Sequence, residues 1–123
     1  MRISMTDRPV VERSAIDRLK EWGGDELPAK LIDIFLTHTP ERMRQIREGV
    51  ESKESRTSEA GAHSLKSSAG NVGASRLQRM AERAEAKAEA GDLEGVRDLL
   101  PGLEEAYDEA RTELQRIREG LEA

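Results

Sequence analysis

Apolar positions recur along this chain at alternating three- and four-residue spacing, the period of amphipathic helices rather than the two-residue period of strands. Ile16, Leu19 and Trp22 make a short apolar face that opens on the capping-box pattern Ser14-Ala15-Ile16-Asp17 and stops at Gly23-Gly24. Asp25 is placed to cap a second helix carrying Leu27, Leu31, Ile34 and Phe35, with Pro28 tolerable in its first turn. Met43, Ile46 and Val50 extend that stripe past Thr39-Pro40, where either a new helix starts on Thr39 as N-cap or one long helix bends. Polar residues 52–58 then lead into a helix expected from about Arg56 to Val72, and Gly73 turns the chain into another that faces inward through Leu77, Met80, Ala81, Ala84 and Ala88. Gly91-Asp92 ends it and caps the last helix, whose seam runs from Leu93 and Val96 through Leu103, Tyr107 and Leu114 to Leu121. Pro101-Gly102 interrupts the seam without changing its phase, which fits a kink within one helix.

Four long amphipathic segments joined by short connections, behind one shorter helix, predict an all-α fold: an antiparallel up-down-up-down four-helix bundle with a short additional N-terminal helix. A single domain is expected over residues 14–121, with 1–13 as an N-terminal extension lacking order of its own. Composition agrees, since aromatic residues are 2% of the chain and Ala, Leu, Glu and Arg recur throughout. Charged residues at 37% against 36% apolar would suit a disordered chain if the apolar positions were scattered, but they are periodic.

Charge and residue usage narrow the function classes. A net charge of -5 argues against a general affinity for nucleic acid or anionic membrane, both of which are negative, and favours a protein partner. Without cysteine there is no disulfide or thiolate metal site, and no segment has the apolar length of a membrane span or a signal-peptide h-region, so a cytoplasmic protein is the expectation. His38 and His63 stand on separate helices and there is no cysteine, which argues against a zinc site, and neither a G-x-S-x-G elbow nor a P-loop is present.

The candidate chemistry lies on the third long helix. Ala62, Leu65, Ala69 and Val72 supply its core stripe, while His63, Lys66, Ser67 and Gly70 form a second stripe centred roughly 130° away around the helix axis. The imidazole should therefore project into solvent. Side chains tilt toward a helix's N-terminus, so the Lys66 ammonium, one turn on, can reach back beside the ring and offset the charge of an anionic group there. Small Ser67 and Gly70 keep the surrounding surface low enough for another protein to approach. Glu59, one turn before His63, is positioned by its i to i+4 spacing to accept a hydrogen bond from Nδ1 and leave Nε2 free. An isolated exposed histidine is ordinarily a solvated side chain, and His38, beside Thr39-Pro40, is read as a helix-end residue near the last carbonyls with no chemistry.

The run His63-Ser64-Leu65-Lys66-Ser67-Ser68-Ala69-Gly70-Asn71-Val72-Gly73-Ala74, followed by Leu77, resembles the signature of histidine-containing phosphotransfer domains. Trp22-Gly23-Gly24-Asp25 and Phe35-Leu36 are similar to a less specific upstream region of the same family, and the resemblance runs from about Ile16 to Leu114. Ser67 departs from the pattern, which most often has glycine there. The resemblance implies a phosphoryl carrier, not an enzyme with its own catalytic centre: His63 would be phosphorylated on Nε2, Lys66 would be the charge partner, and Ser64, Ser67, Gly70 and Asn71 would meet the docking protein. It also implies partners, namely response-regulator receiver domains and a hybrid sensor histidine kinase. The receiver would supply Mg²⁺, with no cofactor bound by this chain, which is expected to be a monomer. Its length suits a stand-alone shuttle and equally a domain of a larger kinase. The alternative from another class is a helical adaptor that binds receivers or other proteins without carrying phosphate.

Overall fold

The computed structural model of the protein describes residues 9–121. Among these, the regular structure is five α-helices: α1 (Arg13–Gly23), α2 (Glu26–Glu51), α3 (Ser55–Asn71), α4 (Ser75–Glu89) and α5 (Leu93–Glu119). Helices α2 to α5 pack in sequence, and α5 closes back on α2, giving the antiparallel four-helix bundle, while α1 lies against α2. Residues 1–8 of the expected extension fall outside the described residues. Within the remainder Val11 is buried, and the Glu12 N–H donates to the carbonyl of Gly73 at 2.8 Å. That tie to the α3–α4 turn fixes where α1 starts. Ser14 accordingly sits inside the helix and Glu12 takes the N-cap position without a side-chain cap, so the capping-box reading of Ser14 to Asp17 does not hold.

Pro40 and Pro101 each lie within one continuous helix. Pro40 has no N–H to offer the carbonyl of Leu36, yet Phe35, Thr39, Met43 and Ile46 keep one phase across it and all are buried. Burying that unbroken stripe decides the choice the local sequence left open. The buried Thr39 hydroxyl donates to the carbonyl of Phe35 at 2.6 Å. At the other end of the bundle Asp92 caps α5, its Oδ1 accepting from the Gly95 N–H at 2.9 Å, after Gly91 reverses the chain at φ 76°.

Apart from Phe35 the large side chains at the centre of the core are aliphatic, with Ile16, Ile32, Ile46, Leu65, Leu103 and Leu114 all fully buried. Each such side chain contributes about 1.5–3 kcal/mol by leaving water. Helix α3 occupies a narrow slot between α2 and α4 and meets it with small residues, Ser58, Gly61, Ala62 and Ala69, around the single large Leu65. The Ser58 hydroxyl donates to the Ile46 carbonyl at 2.7 Å, satisfying a polar group that close packing has buried. With that face committed inward, the polar stripe of α3 has one direction left, toward solvent along the α3–α4 groove. No helix among the described residues is long and apolar enough to cross a membrane.

Candidate functional site

His63 stands mid-way along α3 with 62% of its side chain exposed. Leu65, two residues on, is fully buried, so a rotation of about 200° between them separates chemistry from core on one helix. The ring meets a partner that sequence spacing did not point to: Nδ1 lies 2.6 Å from Oε2 of Glu85 on α4. The other oxygen of the same carboxylate, Oε1, lies 2.6 Å from Nζ of Lys66. Glu85 thus bridges the histidine and the lysine across the helix pair. Lys66 and the ring share one carboxylate.

The electrostatics fix the tautomer. The hydrogen bond from Lys66, helped by the one from His63, holds the Glu85 carboxyl below the ordinary carboxylate range despite its partial burial. The hydrogen bond to Glu85 in turn raises the Lys66 ammonium above its usual value. An ionised carboxylate has only lone pairs to offer, so at a 2.6 Å contact Nδ1 must carry the proton and donate it. In the neutral ring Nε2 is then the nitrogen with the free lone pair, directed away from Glu85.

Glu59 does not take the role expected of it. It shares the depression around the ring with Arg56, Ala60, His63, Ser64 and Glu85, but Nδ1 is occupied from the opposite helix. A residue one turn earlier on α3 projects toward the helix's own N-terminus, whereas Glu85 faces His63 squarely across the groove. The signal for Glu85 was the turn itself: the 22-residue separation of His63 and Glu85 centres on Ala74, where the chain reverses between two antiparallel helices.

Of the other expected surface residues, Ser67 and Asn71 are exposed, and Ser64 and Gly70 are half-buried on the same side of α3. Ser68 turns its hydroxyl back to the Ser64 carbonyl at 2.8 Å and adds no group to the site. Gly70 is not bare, because a Cβ there would come within 2.6 Å of Nε2 of Gln78 on α4. His38 lies on α2 beside a separate open groove. Among the described residues no three His, Cys, Asp or Glu side chains are grouped to hold a metal ion. What the arrangement offers is one exposed nucleophilic nitrogen, a carboxylate that orients and balances the ring, and an ammonium beside them.

Residues 30–122 match the Hpt domain family. No curated protein matches the chain. Among solved structures, the crystal structure of histidine-containing phosphotransfer protein B (HptB) from Pseudomonas aeruginosa PAO1 is similar at 25% identity with a TM-score of 0.83, covering 90% of this chain and 96% of that one. The matched span takes in α3, α4 and α5 with the whole His63, Lys66 and Glu85 cluster, and the chain belongs to the Hpt domain family.

Proposed function

We propose that this protein carries a phosphoryl group on Nε2 of His63 between aspartates of receiver domains in a two-component phosphorelay. The observation that carries the reading is the 2.6 Å contact of Nδ1 with Glu85 on a ring that is 62% exposed, because in the neutral ring it assigns the proton to Nδ1 and leaves the Nε2 lone pair for a docking protein. In the accepting step the Nε2 lone pair attacks phosphorus, the Nε2–P bond forms, and the bond from phosphorus to the aspartyl oxygen breaks to release a carboxylate. The ring then bears Nδ1–H and a formal positive charge, which Glu85 balances without any proton having to move. Donation reverses the sequence, with neutral imidazole as the leaving group. Lys66 has two N–H bonds beyond the one that meets Glu85, and these serve the phosphoryl oxygens.

In this reading the chain is a carrier and its partners bring the catalysis, including the Mg²⁺ that a phosphoryl transfer to or from an aspartate employs. Receivers and a hybrid histidine kinase are the partners, the protein acting as a monomer in the cytoplasm. Incubation with a phosphorylated receiver domain and Mg²⁺ tests it: label should appear on His63 as an acid-labile, alkali-stable phosphoramidate, and His63→Gln should abolish it. Stable binding of the receiver with no transfer to His63 would instead establish an adaptor.

A further inference from the structure

We infer that Gln78 of α4 is a specificity-determining contact of the docking face, presenting its side-chain amide to a main-chain peptide of the receiver. The inference rests on the carrier reading and adds to it the residue that replaces the bare glycine surface. Gly70 lies seven residues after His63, which puts it about 10 Å along α3 and within roughly 20° of the same face. The space a side chain would fill there is taken: a Cβ on Gly70 would stand 2.6 Å from Nε2, 3.1 Å from Cδ and 3.6 Å from Oε1 of Gln78. The whole amide group is therefore laid over the glycine backbone, and only glycine lets it lie that low.

Two further observations distinguish a contact group from simple filler. Both Gln78 and Gly70 are half-exposed, so the amide forms part of the surface. Its side chain makes no hydrogen bond or ion pair with any described residue, and none of its polar atoms is fully buried without a partner. A side-chain amide carries donors and an acceptor, the complement of a peptide group, and the two pair without leaving either unsatisfied. Lys66 and Glu85, the charged pair beside His63, are already joined to one another. The footprint reaches far enough: even a small transient interface covers about 600 Å² per partner, a disc of about 14 Å radius around His63.

The test is steady-state phosphotransfer from a phosphorylated receiver domain of the same organism to which the wild-type protein responds, with labelling by phosphoramidate as a separate control. Gln78→Met keeps the bulk over Gly70 and removes the hydrogen bonds, and it should raise KM for the receiver about fivefold with kcat little changed, the effect of one lost neutral hydrogen bond. Gly70→Ala should raise KM similarly by displacing the amide, and combining it with Gln78→Met should add little further. An unchanged KM in Gln78→Met, with wild-type protein that still labels on His63, overturns the role of Gln78 alone. Failure of phosphoramidate and receiver alike to label wild-type His63 removes the carrier reading and this inference with it.

Discussion

The two nitrogens of His63 face different surroundings, one a carboxylate and the other solvent, and the difference is created by Glu85. Replacing Glu85 by glutamine keeps the shape but lets the side chain either accept from or donate to Nδ1, so the tautomer is no longer imposed, and the charge that balances the phosphorylated ring is lost. Glu85→Gln should slow acceptance from a phosphorylated receiver by about tenfold or more, the usual range for a lost orienting partner, and equal rates would remove it from the mechanism. Lys66→Ala should slow transfer or shorten the life of the phosphorylated form while leaving the bundle folded, which circular dichroism beside the transfer assay will show. The pair also has a pH signature in stability. Because Glu85 is held below its ordinary range, its contribution is complete above that range and disappears as pH falls through the depressed value. Lys66 is held above its ordinary range, so its contribution is complete below that range and disappears as pH rises through the raised value. The gap in melting temperature between wild type and Glu85→Gln should thus be level through neutrality and close at both extremes. A gap that widened in acid would contradict the assignment.

Helix α3 is held differently by its two neighbours, and glycine substitutions distinguish the two contacts. A Cβ on Gly49 would strike Ser58 Oγ and come within 2.5 Å of Ser58 N and 2.9 Å of Glu54 O, so α2 and the start of α3 would have to separate. Alanine in a helix is otherwise favoured over glycine by about 0.5–1 kcal/mol, and backbone overlap outweighs that gain. Gly49→Ala should therefore destabilise the protein by about 2 kcal/mol in urea unfolding, an overpacking cost. Gly70→Ala meets only the mobile end of Gln78 and should be neutral or slightly stabilising. Equal costs at both positions would mean that the two crossings are not distinct. The same contrast explains what was legible in the sequence. The stripes that place Leu65 inward and His63 outward are local and periodic, and Gly91-Asp92 announced its turn and cap because those signals lie within a few residues. Glu85, Gln78 and the start of α1 depend on which residues an antiparallel neighbour brings alongside, and no periodicity within one helix contains that.

Across the whole bundle, stability and chemistry occupy opposite sides of the same seventeen-residue helix, α3. The apolar stripes of α2 and α5, in phase on both sides of Pro40 and Pro101, carried both helices through the prolines, since breaking either would have exposed buried residues on one side. Burial on that scale also means that the site contributes little to holding the fold together. Leu65→Ala removes a side chain with no exposure from the centre of the bundle and should cost about 3 kcal/mol, with a fall in melting temperature of roughly 10 °C. His63→Gln changes a side chain that is 62% exposed and should stay within about 0.5 kcal/mol of wild type while losing the phosphoryl label. Below its lowered melting point, Leu65→Ala should still accept phosphate on His63, because α3 need only keep Nε2 in view and Glu85 opposite it. If Leu65→Ala lost transfer at temperatures where circular dichroism shows it folded, the register of α3 on α4 would depend on the core beneath His63, and the two sides of the helix would be coupled rather than independent.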